Sequence, residues 1–381
     1  MATVVNGRLG AGEYRVQIQH RPRYGSQGTT QIGNQGELTT TRIFWSRNLD
    51  ETSEASVVVP VKGFGAQTCC DILRDVIPLV HELVIYRNET PVWVGPIITM
   101  TYSDDEVRIE AKDLTWWLNH RVPRVARNFQ QSDLSTIFET LINDAQDIEY
   151  FGLLTDINPA GIKGDREIKI NEYKYFGDHI RELGRTGIDW TVYLRKMYAG
   201  GYTVPNATPI ATLKSSHFKN GYEISLRGDI MCSNAIVKGS GEIATAEWAV
   251  ENHQFGHVDA VWEESGIKDY NSALQAAKTR WDMLRKPVLF FRNPRRLETG
   301  FAADELSSTN VAILTQDAPV VIESLIPGAT VSLDVDYLCQ QIQFLMRLKR
   351  VSVTVENNES VELGLIPVGT SNEESTGIGV G

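Results

Sequence analysis

The sequence predicts an α+β protein that is mainly β, in which two antiparallel β domains flank an inserted α/β unit. Apolar and polar residues alternate toward both ends of the chain, as at Val57, Val59 and Val61, and this period of two buries one face of a pleated strand. Between about 134 and 183, apolar residues recur every three or four positions, which is typical of amphipathic helices. The length of 381 residues exceeds what one hydrophobic core supports, so we expect more than one domain.

The composition indicates an ordinary globular protein with an acidic surface. Hydrophobic residues make up 42% and charged residues 22%, and the formal net charge is -11. This charge disfavours a surface that grips nucleic acid, because neutralising phosphates requires clustered Lys and Arg. Between residues 300 and 381, three basic residues stand against eleven acidic ones. DNA can pass such a surface without adhering to it.

Membrane insertion, export and metal binding are not predicted. The longest apolar stretches, such as 91–100, are interrupted by Gly and Pro and are far shorter than the roughly 20 residues that span a bilayer. Residues 1–12 lack the basic and apolar pattern of a secretory signal. The cysteines are Cys69, Cys70, Cys232 and Cys339. They show no paired metal-ligand spacing and fit a reducing compartment.

We predict a first β domain at residues 1–125. Its clearest part is a three-stranded meander from Leu83 to Leu118, with polar turns at 87–90 and 103–106. The Gly95-Pro96 pair should bend the middle strand, because proline cannot donate a hydrogen bond to a ladder and glycine tolerates a bulge.

Residues 126–220 are predicted to form the inserted α/β unit. A first helix begins after Ser132 or Asp133, either of which could cap its first turn. A second helix begins near Tyr175 and is followed by an alternating strand at 188–194. Helix, turn and strand therefore succeed one another here.

The second β domain is predicted at residues 221–369. It includes an inserted helix at about 269–286, which Pro287 ends, and a loop at 292–315. The small residues of this helix suggest close packing on a sheet. Residues 370–381 have almost no apolar content and are predicted to form a flexible tail.

No catalytic, cofactor-binding or metal-binding residue is predicted. His253 and His257 are four apart, but they lack the helical motif that brings two histidines to one zinc. The Gly-Ser-Gly at 239–241 lacks the spacing of a serine-hydrolase elbow and is interpreted as a turn. Cys69 with His81 belongs to no recognisable peptidase signature, so a small buried thiol is the simpler interpretation.

Acidic pairs and tryptophans keep a different class of function open. The acids at 104–106 or 334–336 could supply the two carboxylates of a glycosidase, and Trp93 or the pair at 116–117 could stack on sugars. The first acidic group lies in a predicted turn and the second alternates with apolar residues. Solvated acids and tryptophans in the core are therefore the preferred interpretation.

Five segments together resemble one protein family. They are 86–97, with its Trp-x-Gly-Pro-Ile bend, 107–113, 117–121, 176–190 and 326–331. They resemble the minor tail proteins of long-tailed bacteriophages, a tail-tip or baseplate hub family that is related to the baseplate hubs of contractile tails.

The resemblance implies two tail-tube-like β-barrel domains, with the helix packed on the second barrel. It implies a non-enzymatic subunit at the tail tip of the virion, made in the bacterial host cytoplasm. Three copies would form a ring whose six barrels close or extend the tail tube and leave a channel for DNA in transit during genome ejection. The expected partners are the distal tail protein, the tube end, the tape measure protein and other tail-tip or receptor-binding subunits.

Two other functions stay open at this point. One is a tail-associated lysin or binding subunit that acts on peptidoglycan or carbohydrate. The acidic pairs and the eight tryptophans support this alternative. The other is a cellular relative of the hub in a contractile injection machine.

Overall fold

The computed structural model describes most of the chain in twelve stretches. The described residues are 9–22, 37–63, 66–201, 208–219, 221–229, 231–240, 244–249, 254–264, 267–286, 288–292, 311–337 and 340–367. The predicted tail at 370–381 and most of the predicted loop at 292–315 lie outside them.

Strands dominate the described residues, which confirms the prediction of an α+β protein that is mainly β. The strands are β1 (Tyr14–His20), β2 (Glu37–Leu38), β3 (Arg42–Asn48), β4 (Glu54–Pro60), β5 (His81–Arg87), β6 (Thr90–Tyr102), β7 (Glu106–Lys112), β8 (Arg127–Asp133), β9 (Leu154–Ile157), β10 (Lys163–Ile168), β11 (Ile188–Tyr193), β12 (Lys196–Gly201), β13 (Thr212–Lys214), β14 (Glu223–Arg227), β15 (Asn234–Lys238), β16 (Thr245–Ala249), β17 (Asp259–Glu263), β18 (Val288–Arg292), β19 (Val311–Ile313), β20 (Thr330–Tyr337), β21 (Gln340–Val355) and β22 (Glu359–Pro367). The α-helices are α1 (Ala66–Arg74), α2 (Leu134–Ile148), α3 (Phe176–Thr186) and α4 (Tyr270–Leu284), and Leu114–His120 forms a 3₁₀ helix.

One twelve-stranded sheet contains strands from both predicted β regions. Its order is β13-β20-β21-β3-β4-β7-β6-β5-β1-β2, with β22 beside β21 and β19 beside β22. The two regions meet where β3 pairs antiparallel with β21, from Ile43 opposite Val355 to Asn48 opposite Arg350. A single cluster of buried apolar side chains draws on both regions. The hydrophobic effect therefore holds the beginning and the end of the chain in one body.

Strand β6 turns a corner at Gly95-Pro96, as predicted. Residues before the corner pair with β5, and residues after it pair with β7. A Cβ atom on Gly95 would lie 1.9 Å from the carbonyl oxygen of Lys112, so only glycine fits this close approach. The preceding turn is formed by Asn88 and Glu89, whose φ angles of 47° and 65° suit a two-residue hairpin.

The middle α/β unit is built from β8 to β12 with α2 and α3. Of the two predicted caps of α2 it is Asp133 that acts, because its carboxylate accepts a hydrogen bond from the Ser135 amide at 2.9 Å. The helices bury apolar side chains such as Phe138 and Ile180 in a cluster shared with the sheet β11-β12-β9. Strand β11 follows α3 directly, as predicted.

A third buried cluster lies between residues 232 and 284. Strands β16, β15 and β17 form a separate sheet, and α4 packs on one face of it through Ala273, Ala276 and Ala277. Strands β14 and β18 pair with each other as a separate two-stranded sheet. The inserted helix predicted in the second β region is α4. It packs mainly on this small sheet, because its alanines allow the helix and the sheet to approach closely.

The domain limits predicted from the sequence stay a proposal.

Among the described residues, no helix combines the length and the apolar character needed to cross a membrane.

Candidate assembly surfaces

The residues considered for nucleophilic chemistry have structural partners. The Sγ atom of Cys69 accepts a hydrogen bond from the Thr39 amide at 3.3 Å, whereas Nδ1 of His81 accepts one from the Ile77 amide at 2.9 Å. Thiol and imidazole are therefore engaged in different contacts. At the Gly-Ser-Gly segment, the amide of Gly239 donates to the carbonyl of Ala244, just before β16, at 2.9 Å, and the last glycine lies outside the described residues.

Only one histidine of the pair His253 and His257 lies within the described structure. Nε2 of His257 lies 3.0 Å from a carboxylate oxygen of Asp259, while His253 falls outside the described residues. No group of three or more His, Cys, Asp or Glu side chains that could hold a metal occurs in the described ranges.

The acidic turn and the tryptophans also have structural roles. Asp105 pairs with Lys62 at 2.6 Å on an exposed surface. Trp93 is buried, and its Nε1 atom donates a hydrogen bond to the Ser46 carbonyl at 3.1 Å. Trp117 is buried in the cluster of the middle unit. These contacts favour packing over a sugar-binding platform.

One broad surface is the open face of the large sheet, on the side opposite its buried cluster. A row of six cross-strand neighbours defines this open face. In the order β6, β7, β4, β3, β21 and β22 it consists of Thr99, Glu110, Ser56, Phe44, Thr354 and Ser360. All six side chains are exposed or half-buried. Four of them end in small hydroxyl-bearing groups, so the surface is polar but mostly uncharged.

Charges beside this row neutralise one another. Glu54 lies 2.7 Å from Lys112 and 3.7 Å from Arg350, and Arg42 lies 3.1 Å from Glu356. Such exposed pairs contribute little stability. Their effect is to leave few cations available for binding phosphate.

A buried ionic cluster joins the start of the sheet to its last hairpin. The carboxylate of Glu359 accepts hydrogen bonds from Arg87 Nε at 2.7 Å, from the Tyr14 hydroxyl at 2.5 Å and from the Gly10 amide at 2.6 Å. The side chains of Arg87 and Glu359 are 0% and 1% exposed. Burial, followed by the charge of Glu359, raises the pKa of Tyr14. The hydroxyl therefore stays protonated and acts as a donor.

A buried arginine on β3 connects three further segments. Arg47 donates from Nη1 to the carbonyl of Ile322 at 2.9 Å and from Nη2 to that of Val92 at 2.9 Å. Its guanidinium lies between the rings of Trp45 and Tyr193, at 4.7 and 4.5 Å from their centroids. Burial lowers its pKa to about 10, so it remains charged at neutral pH.

Acidic residues fix the middle unit to the large sheet. Arg347 on β21 forms a bidentate pair with Asp189 on β11, and both side chains are buried. The Asp50 carboxylate accepts a hydrogen bond from the Trp190 amide at 2.8 Å. Burial, followed by the nearby Asp189 carboxylate, raises the pKa of Asp50 well above its usual value.

Two further ion pairs lie along the same junction. Arg195 of the middle unit pairs with Glu82 on β5, whose side chain is 1% exposed, and burial raises the pKa of Glu82. Arg21 lies 2.6 Å from Glu149. Because removing one partner of a buried pair is costly, these pairs help to hold the middle unit against the large sheet.

One of these buried groups has a local signal in the sequence, although it was not among the predicted residues. Ile43, Trp45 and Arg47 alternate on β3, so the arginine had to point to the same buried side as its two apolar neighbours. The pairing of Arg87 with Glu359 had no local signal, because 272 residues separate the partners.

Comparison with known proteins gives a match in structure only. No family model matches the chain, and no curated protein matches it in sequence.

Solved structures of phage tail proteins share the fold over nearly the whole chain. The tail protein from Neisseria meningitidis MC58 has a TM-score of 0.61 at 12% identity, over 93% of this chain and 97% of its own. The 43 kDa tail protein of prophage MuSo2 from Shewanella oneidensis has 0.56 at 10% identity, over 92% and 97%. The prophage tail protein gp18 from Listeria monocytogenes EGD-e has 0.55 at 10% identity, over 93% and 95%.

A secretion-system protein has a related structure. The E. coli c3393 protein, a type VI secretion component described as similar to the T4 tail proteins gp27 and gp5, has a TM-score of 0.50 at 8% identity, over 94% of this chain and 78% of its own. The chain thus has the fold of phage tail proteins and of a related secretion-system component. This confirms, at the level of the fold, the resemblance to tail-hub proteins.

Proposed function

We propose that this chain is a structural subunit of a phage tail, acting as the hub of the tail tip. The observation that carries the proposal is the fold it shares with three tail proteins over at least 92% of its length. In this role three copies form a ring in the virion, close or extend the tail tube, and leave a channel for DNA. The ring would hold the distal tail protein, the tape measure protein and receptor-binding subunits.

The open face of the large sheet supports a channel-lining role. A wall along which DNA slides must bind phosphate weakly, and this face offers hydroxyl groups and mutually paired charges. The formal charge of -11 on each copy adds a repulsive field. We therefore propose the row from Thr99 to Ser360 as part of the channel wall.

The buried ion pairs support a mechanical role. A hub must transmit force between the tube and the outer subunits without its domains separating. Bonds such as Arg347 to Asp189 tie the middle unit to the sheet. No substrate chemistry is needed for this function, and we propose that the chain is not an enzyme.

The first test is the mass of the purified chain by light scattering, followed by negative-stain imaging. We expect a three-subunit ring with a central hole. If the chain alone stays monomeric, the measurement is repeated after the distal tail protein has been added. A stable monomer that remains monomeric with its partner and clears a peptidoglycan suspension would contradict the proposal and favour a lysin.

A second test addresses the channel. Replacing Thr99 and Thr354 with Arg places two cations per copy on the open face, so that each ring carries a positive belt. DNA release triggered in vitro should become slower, and more so at low salt, because phosphates bind the added cations. The control is Thr140→Arg, at a half-buried position on α2. Equal release rates in both variants would exclude this face from the channel.

A further inference from the structure

The small sheet of residues 234 to 263 has one covered and one uncovered face. Helix α4 covers the face that carries Trp248 and Trp262. On the opposite face a row of neighbours crosses the three strands, from Glu247 through Ile236 to Val261. Val261 is 51% exposed. No described segment packs over it, so an apolar side chain stands open to solvent at the β17 end of the row.

Strand β17 is also an edge. In the order β16-β15-β17 it pairs with β15 on one side only, and none of the described residues pairs with its other side. Natural edge strands are often protected by Pro, by a bulge or by charged side chains, above all Lys. The sequence of β17, Asp-Ala-Val-Trp-Glu, has no Pro or Lys, and its charges are the two acids at its ends. Just before the strand, Phe255 and Val258 are each 37% exposed.

The charges on the uncovered face are mostly negative. Glu247, Asp259 and Glu263 are exposed on it, and Lys238 is the one cation among its described residues. Asp259 accepts a hydrogen bond from Asn234 Nδ2 at 2.7 Å, which orients its carboxylate. Such an edge favours a strand with apolar residues on one side and cations near its ends.

We propose that the free edge of β17 binds an extended, basic segment of another tail protein, which adds a fourth strand to the small sheet. Main-chain hydrogen bonds supply affinity, Val261 supplies the apolar contact, and the acidic side chains select for lysine or arginine. The proposal rests on the function proposed above, in that it names a docking site on an assembly subunit. Two stacked copies of this acidic edge would repel each other, which disfavours self-pairing.

The test uses the full chain and three fluorescent nine-residue peptides of alternating Val and Thr. One peptide carries Lys at both ends, the second carries Glu at both ends, and the third has the Lys ends but a central Pro. By fluorescence anisotropy the Lys peptide should bind, and the Glu peptide should bind at least roughly tenfold more weakly because its charges are repelled. The Pro peptide should not bind, because proline interrupts the ladder. Equal binding of all three peptides, or of none, would overturn the proposal.

Val261→Lys is the variant that tests the site. It removes the apolar contact and adds a cation at the edge, so binding of the Lys peptide should be lost. The matched control is Ile77→Lys, at another exposed apolar position with 56% exposure, and it should leave binding unchanged. Unchanged circular dichroism shows that both variants fold. If both variants lose binding equally, the peptide is not bound at this edge.

The assembled tail identifies the occupant. Val261→Cys, labelled with a photo-cross-linker, should couple to a basic segment of a different tail protein. Coupling to a second copy of this chain, or to nothing, would refute the proposal. The unaltered chain separates the two ideas: a ring that forms but does not bind the Lys peptide refutes the docking site alone, whereas failure to form a ring or enter tails refutes the hub function. The Val261→Lys chain should still form the ring while losing the peptide.

Discussion

The buried carboxylate of Glu359 offers a quantitative test of what holds the two ends of the sheet together. Replacing it with Gln preserves its size but removes the charge that Arg87 needs. The amide of Gln can still accept hydrogen bonds from Tyr14 or Gly10, yet its Nε2 cannot accept one from Arg87. Since both side chains of the pair are at most 1% exposed, the arginine would be left charged and buried, with the carboxylate of Glu323 at 3.9 Å as its remaining ionic partner. Breaking a buried pair in this way costs about 3–5 kcal/mol.

A control lies three residues away in the same hairpin. Glu356 pairs with Arg42 at 3.1 Å, but the side chains are 55% and 48% exposed. Glu356→Gln should therefore lower the free energy of unfolding by less than about 1 kcal/mol. Urea denaturation, followed by tryptophan fluorescence, gives the midpoint of the transition that includes the large sheet.

Comparison with the double variant strengthens the test. In the pair Arg87→Met with Glu359→Leu no charge stays buried, so the double variant should lose less stability than Glu359→Gln alone. If Glu359→Gln and Glu356→Gln shift the urea midpoint equally, the buried cluster does not hold the sheet as we argue.

Three further predictions follow from local geometry. Gly95→Ala should lower the melting temperature markedly because its Cβ atom would overlap a backbone carbonyl, whereas Gly184→Ala, with open space around it, should raise helix stability by about 0.5–1 kcal/mol. Burial raises the pKa of the Asp50 carboxyl in the folded protein above its value in the unfolded chain. Ionisation of Asp50 therefore lowers the free energy of unfolding as the pH rises between these two pKa values. Asp50→Asn removes this charge and should stabilise the protein more at pH 7 than at pH 4, as measured by urea titration. Maleimide should label exposed Cys70 at neutral pH. It should spare Cys232 until denaturant is added, because this thiol is buried and burial raises its pKa to about 11; mass spectrometry identifies the labelled residues.

Opposite results would contradict each argument separately. A Gly95→Ala protein as stable as wild type would mean that the corner of β6 can shift to make room. An equal effect of Asp50→Asn at both pH values would mean that Asp50 titrates alike in folded and unfolded chains. Labelling of Cys232 in native buffer would mean that the small sheet opens readily.

The elements of the fold were predictable because their signals are local. Period-two alternation, the Gly95-Pro96 bend and the cap before α2 each follow from a few neighbouring residues. The pairing of β3 with β21 could not be predicted, since alternation defines the two faces of a strand but not its neighbours. The sequence likewise predicted two β regions without indicating that they share one sheet.

The candidate surfaces were less accessible to sequence reasoning. Thr99 and Thr354 become part of one row only when six strands have their observed order. Val261 looks like any other alternating residue, and its exposure follows from α4 covering the opposite face alone. Such surfaces are properties of packing between elements, which the pattern within one element does not contain.

The pairing of β3 with β21 also has a consequence for folding during synthesis on the ribosome. Ile43 leaves the ribosome early in synthesis, but its partner Val355 is near the end of the chain. The middle unit and the small sheet with α4 are built from contacts between residues close in sequence, so they can fold while translation continues. The large sheet cannot form until nearly the last residues have been synthesised. Strand β3 therefore spends most of translation with an unsatisfied edge, exposed to premature association. A truncated product that ends before β21 would lack the strand that joins the two halves of the large sheet.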